Sequence, residues 1–257
     1  MFMFTKTFEL SLTRNYVSRW GMAQAVRELI QNALDSESPF VYEFTPSPDP
    51  TEEGVSLSLR SEFTTLTPQT LLLGSTSKAD SKDSIGSFGE GYKIALLVLT
   101  RLGYDVEIRN GDLLWKPRFR FSKQFGQELL VIDETSVSGR HTGLTFVVHG
   151  LSQSDVGEIR AGCLKMQDAI GEVKTTPNGD ILMEKPGELY VGGLFICKTE
   201  LKFGYNIKPE FIKLERDRQT VDSFDLRWLT KEMWFATAEW DRIAKMIEAT
   251  VLAPQRM

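Results

Sequence analysis

Glu28, Asn32 and Asp35 stand at i, i+4 and i+7, a spacing that sets two carboxylates and an amide on one helical face. The Asn32 side-chain oxygen suits a hard cation such as Mg2+, which takes oxygen ligands and keeps waters and phosphates in its other positions. Glu28, one turn earlier, is placed to polarise an attacking water. The solvated face of a surface helix would read similarly, but here the charged residues lie beside the apolar stripe and not opposite it. A second element, Gly86-Ser87-Phe88-Gly89-Glu90-Gly91, runs into a helical stretch that begins Tyr92-Lys93. Its glycines let the backbone approach an anion, and the first amides of the helix are open donors with a favourable dipole, so the pair makes a phosphate seat. The spacing is neither a dinucleotide fingerprint nor a P-loop, and a tight loop built for close packing is the alternative. Upstream, Gly74-Ser75-Thr76-Ser77-Lys78 places hydroxyls and a mobile ammonium where a lid over a triphosphate would need them, or where a solvated loop would carry them. The fourth element is Thr142-Gly143-Leu144-Thr145-Phe146-Val147-Val148, in which Thr142 or Thr145 can reach a base or serve simply as a good strand former.

The elements that must position these residues follow from periodicity. Ala25, Val26, Leu29, Ile30, Ala33 and Leu34 recur at three- and four-residue steps and predict a helix over 22–36. Strands are expected over 41–44 and 55–59, and a small helix near 71–73. The helix that follows the glycine turn is expected to stop at Gly103, with Arg101 favouring its carboxyl end. Further strands are expected over 105–109, 113–121, 128–132 and 144–148, with turns at Asn110-Gly111 and Ser138-Gly139. The first 150 residues thus read as helices on one side of a largely antiparallel sheet. Beyond them we expect a helix over 156–170, three strand-like pieces ending in LYVGGLFIC, and one or two helices over 222–252 that carry Trp228, Trp234, Phe235 and Trp240.

Composition removes several function classes. No apolar run approaches the ~18 to 20 residues needed to span a bilayer, and the amino terminus has no signal-peptide core, so a cytoplasmic protein with no membrane association is expected. With 30 basic against 35 acidic residues the chain has no general electrostatic grip on nucleic acid. Only KPRFRFSK, with Lys116, Arg118 and Arg120, offers a local basic strand, and an edge strand protected by charge explains it better. Cys163 and Cys197 lack metal-ligand spacing and read as core thiols. The two histidines, His141 and His149, make histidine-driven catalysis a poor expectation.

Taken in order over roughly residues 10 to 150, the four elements resemble the GHKL ATPase superfamily. RELIQNALDS looks like its N-box, which implies Glu28 as the general base and Asn32 as the magnesium ligand, with Asp35 among the nucleotide contacts. IGSFGEGYK looks like its glycine box, implying phosphate contacts from Gly86, Phe88, Gly89, Glu90, Gly91 and Lys93. GSTSK is similar to the lid of the MutL branch, suggesting that Thr76, Ser77 and Lys78 close on the phosphates, and TGLTFVV is similar to the strand whose threonine lies near adenine, here Thr145. The family's Asp-x-Gly-x-Gly motif is replaced by SEFTTL: Ser61 stands at the aspartate position, and Glu62 is the nearest carboxylate able to take over base recognition. RELIQNALD with SKADSKDSIGSFGEGYK is also similar to phage-encoded GHKL proteins of the rII type. The resemblance implies an α+β protein, a two-layer α/β sandwich of the Bergerat type with helices on one face of a mixed, mainly antiparallel sheet. Residues 1–150 would form the ATP-binding domain and 151–257 a smaller transducer-like α/β region, in which Lys202, Lys213, Arg216 or Arg218 would reach the terminal phosphate. The implied activity is magnesium-dependent ATP binding with slow hydrolysis, coupling nucleotide state to a protein partner or to self-association. A non-hydrolysing interaction module of phage or host-conflict type is the alternative.

Overall fold

The stripe formed by Ala25, Val26, Leu29, Ile30 and Ala33 closes the first helix, and in a computed structural model of the chain all five side chains are buried. The structure describes residues 5–36, 38–47, 54–62, 64–72, 90–137, 142–214 and 223–245. They belong to two units, residues 1–162 and 163–257.

The first unit contains, in chain order, β1 (Thr5–Thr13), α1 (Met22–Leu34), β2 (Val41–Pro46), β3 (Val55–Ser61), a 3-10 turn (Pro68–Leu71), α2 (Gly91–Leu102), β4 (Asp105–Asn110), β5 (Leu113–Ser122), β6 (Gln127–Ser136), β7 (Leu144–Leu151) and α3 (Gln153–Ala161). Its strands form one antiparallel sheet in the order β1-β6-β5-β4-β7-β3-β2. Leu59, Phe146, Ile108 and Trp115 align across β3, β7, β4 and β5 and are buried on one face. On that side α1 packs on α2, α3 and β3, and α2 packs on β4 and β5. α2 is buried at every position from Tyr92 to Leu99, and each leucine so enclosed stabilises the unit by about 1.5–3 kcal/mol. It ends where expected: Gly103 takes a left-handed φ of 90°, its N–H donates to Thr100 O, and the Tyr104 N–H donates to Leu99 O. The other sheet face is open and charged. Cross-strand pairs run along it: Arg120 with Glu9 at 3.1 Å, Arg118 with Asp133 at 2.5 Å, and Lys116 with Glu107 at 2.9 Å.

The second unit carries β8 (Val173–Thr176), β9 (Gly179–Leu182), β10 (Glu188–Val191), β11 (Leu194–Lys198), β12 (Gly204–Ile207) and α4 (Ser223–Ala236). Its sheet has the order β11-β10-β12-β9-β8, with β10 and β12 parallel. Ile181, Leu189, Ile207, Leu229, Met233 and Trp234 form its core, and the Trp234 indole donates to the Tyr205 hydroxyl at 2.9 Å.

The expected two-layer α/β sandwich is overturned. Among the described residues the chain is mainly β, with twelve strands in two separate sheets and few helices. The first sheet is antiparallel throughout rather than mixed, and the residues read as a small α/β region build a five-stranded sheet of their own. The misreading has local causes. LYVGGLFIC is not one buried strand: Gly192 and Gly193 both adopt positive φ, so Val191 pairs with Leu194 and the segment folds into the hairpin β10–β11. The helix expected over 156–170 stops at Gly162, and the chain re-enters a sheet at Val173. β1 was not anticipated at all, although Phe8, Leu10 and Leu12 alternate with Glu9 and Ser11 in it. The basic strand is not an edge either, since β5 lies between β6 and β4, and Pro117 is accommodated within it opposite Ile132.

Candidate functional site

α1 presents Glu28 and Asn32 toward the first turn of α2. Glu28 is 1% exposed, with Arg27 Nη2 at 3.7 Å from Oε1. Asn32 is half-buried, and its Nδ2 donates to the Glu28 carbonyl at 2.7 Å. That bond leaves the side-chain oxygen as the Asn32 atom for a hard cation. Gly91, the first residue of α2, lies directly against this pair: a methyl group at position 91 would overlap Glu28 Oε2 and sit 3.6 Å from Asn32 Nδ2. Only a residue without Cβ lets the amide end of α2 come so near the carboxylate. Glu90 precedes it without a side-chain cap to the helix, and the first intrahelical bond runs from Ile94 N to Glu90 O. The amides of residues 91–93 have no acceptor within the helix and form the positive end of its dipole, beside the Glu28 carboxylate and the Asn32 amide group.

Tyr92 and Lys93 fasten this turn to the 3-10 segment before it. The Tyr92 hydroxyl donates to Thr70 O at 2.8 Å and lies 3.1 Å from Thr70 Oγ1, and burial pushes its pKa up to about 12 against the opposing Thr70 bond. Lys93 is fully enclosed and its Nζ donates to the Leu72 carbonyl; burial lowers its pKa, with Glu90 acting in the opposite sense. The ammonium is thus held by the Leu72 carbonyl, just after the 3-10 turn.

The remaining expected contacts divide. Ser61, at the end of β3, is buried and donates to Ser36 Oγ at 3.4 Å, which ties the carboxyl ends of β3 and α1. Glu62 is exposed with Arg60 at 3.6 Å. Gly143, with φ of 79°, lets the start of β7 press on the Ser61 and Glu62 carbonyls, where a Cβ would collide. Asp35 caps α1 and is half-buried. Thr145 is not brought to Glu28 and Asn32. It pairs with the exposed residues Arg60 and Arg109, so strand alternation puts it on the face opposite Leu144 and Phe146. Thr76, Ser77, Lys78, Gly86, Phe88 and Gly89 lie outside the described residues, as do His141, Arg216 and Arg218. Cys163 is buried and Cys197 half-buried, and burial raises the pKa of both thiols.

Sequence reasoning missed two features. The anchoring of Tyr92 and Lys93 to the turn at Thr70 and Leu72 has no local pattern. A pocket on the opposite face of the same sheet, lined by Asp105, Glu107 and His149 among others, had a weak one: carboxylates two apart on one strand and a lone histidine on another.

A search against protein-family models finds no match. The chain is 25% identical over 223 residues, 81% of its length and 88% of the other's, to a protein of Mycoplasma pneumoniae described as uncharacterized. Among the described residues no helix is long and apolar enough to cross a membrane.

Proposed function

We propose that this chain is a magnesium-dependent ATP-binding protein with slow hydrolysis to ADP and phosphate. The observation that carries the reading is the packing of Gly91, at the open amide end of α2, on Glu28 and Asn32. Two segments far apart in sequence thereby bring an anion-favouring helix terminus beside an asparagine, whose oxygen can serve a cation, and a carboxylate able to orient water. In this reading Asn32 holds Mg2+, the amides near Gly91 receive phosphate oxygens, Glu28 orients the attacking water, and Glu62 is the carboxylate nearest the base position that Ser61 leaves without one. Thr76, Ser77 and Lys78 supply the closing lid. The protein works in the cytoplasm and couples nucleotide state to a protein partner or to a second copy of itself, in the manner of phage-type relatives of the GHKL group.

A second reading, a non-hydrolysing interaction module, draws support from the commitments of Lys93 to Leu72 and of Ser61 to Ser36, which take both side chains into structural bonds. Thermal-shift titration with Mg-ATP, Mg-GTP and ADP separates the two, because a ligand present at 100 times its Kd stabilises the native state by ~2.7 kcal/mol. Glu28→Ala is expected to keep nucleotide binding and lose phosphate release, and Asn32→Ala to lose the magnesium dependence of binding. No stabilisation by any nucleotide at millimolar concentration sinks the proposal and leaves the interaction module. Equal turnover by wild type and Glu28→Ala removes Glu28 from the chemistry.

A further inference from the structure

On the open face of the first sheet, two adjacent strands, β4 and β7, place a histidine and two carboxylates together. Asp105 and Glu107 are two residues apart on β4 and so point the same way, and His149 of β7 is the direct cross-strand neighbour of Asp105. One ligand-capable atom from each lies within 4.8 Å of the others. His149 is aimed by a bulge: between the pairs Val55–Leu151 and Leu57–Val148, the single residue Ser56 of β3 faces both His149 and Gly150, and Gly150 takes a φ of 77°. The buried Ser56 hydroxyl bonds His149 Nδ1 at 2.8 Å. When Nδ1 carries the proton and donates it to Ser56, the lone pair falls on Nε2, the arrangement by which an outer hydrogen bond fixes a ligating imidazole. The cluster lines a half-open pocket of about 680 Å3, shared with Ser47, Tyr104 and Gly150.

We propose that Asp105, Glu107 and His149 form a binding site for one divalent transition ion, with Zn2+ as the fitting case, independent of the nucleotide reading. One imidazole and two carboxylates match the borderline ions better than Mg2+, which prefers oxygen alone. Three protein ligands facing a pocket leave a coordination position for water or for a small ligand, the pattern of an open rather than a closed site. The site already attracts a cation: Lys116 Nζ lies 2.9 Å from Glu107 and 3.6 Å from Asp105. Lys116 is half-exposed on a flexible stem, so a doubly charged ion with an imidazole ligand displaces it toward solvent. Lys116 is thus a built-in competitor, and removing it has to tighten binding, whereas a purely structural ion pair predicts no such gain.

The test is titration of the tag-free full chain with Zn2+ and with Co2+, without nucleotide, by calorimetry and visible absorption. One ion per chain is expected, with Lys116→Met binding several-fold more tightly, His149→Ala at least 10-fold more weakly, and Ser56→Ala weakened about 10-fold with all three ligands kept. Glu107→Gln, which keeps the shape of the strand, serves if His149→Ala does not fold, and it too is expected to lose at least 10-fold. Absence of saturable binding in both wild type and Lys116→Met overturns the proposal. So does unchanged affinity in His149→Ala or Glu107→Gln, or a thiolate charge-transfer band, which would assign the ion to a cysteine.

Discussion

Gly91→Ala tests the contact on which the candidate site depends. Two effects oppose each other. Alanine in place of glycine in a helix stabilises by ~0.5–1 kcal/mol through backbone entropy. Here the added methyl would overlap Glu28 Oε2, and that side chain is itself enclosed between α1 and α2, with 1% exposure. Overpacking of this kind costs about 1–3 kcal/mol. The net expectation is a loss of ~0–2.5 kcal/mol, a fall of up to several degrees in melting temperature at ~2–4 °C per kcal/mol for a unit of this size. In a Glu28→Ala background the obstacle is gone, and the same substitution should stabilise by ~0.5–1 kcal/mol. The sign therefore reverses, and the coupling in the double-mutant cycle is about 1–3 kcal/mol. Urea denaturation of the four proteins measures it. A coupling below ~0.5 kcal/mol, which is what independent sites give, would show that Gly91 does not rest on Glu28 and would remove the basis of the proposed phosphate seat.

Tyr92 should not ionise until pH reaches about 12, because burial disfavours the phenolate; its contribution to stability is complete below the unfolded value near 10 and is lost as pH rises through 12, and difference absorbance at 295 nm that disappears in Tyr92→Phe reports it. Arg118 donates to Asp133 and, with the Thr7 hydroxyl and against partial burial, lowers its pKa. Stability from Asp133 is accordingly present above the ordinary aspartate range and lost as pH falls through the lowered value; Arg118→Met should move the NMR-detected titration of Asp133 upward, and no movement would discount the pair. Arg101 donates to the carbonyls of Arg14, Tyr16, Val17 and Trp20, bridging the end of α2 to a loop in which Val17 holds a φ of 46°. Arg101→Met is expected to cost ~1–3 kcal/mol and to raise amide exchange across residues 14–20, whereas a loop unaffected by the change would show that its conformation is held elsewhere.

Much of the first unit was legible because its signals are local. The stripe from Ala25 to Ala33 and the glycine at 103 set α1 and the end of α2 without reference to anything distant. The strands from Asp105 to Val148 were bounded by turn residues, and the structure keeps them within a few positions. The second unit was legible only in part. Its strands are four or five residues long, too short for alternation to distinguish from loop or helix, and the glycine pair inside LYVGGLFIC was read as interior when it is a turn. The sandwich inferred from the resemblance failed for the same reason, since nothing local distinguishes a small α/β appendage from a sheet with its own core.

At the candidate site the residue types of Glu28, Asn32 and Gly91 were readable from spacing, but their meeting was not. It depends on how closely two helices approach, a property of packing between segments that no periodicity reports. The fate of Lys93 and Thr145 was likewise decided by tertiary structure: one is drawn into a buried bond with Leu72, the other turned to the open face by strand register. The amino-acid sequence by itself determined which faces of α1 and α2 are apolar, where those two helices end and which side chains can bear charge or bind a cation, because these follow from the covalent chain and its nearest neighbours. Which of those side chains share a site was decided only when the sheet order brought β4, β7 and β3 side by side and α2 came to rest on α1, since proximity between distant segments is an outcome of burying the whole core together.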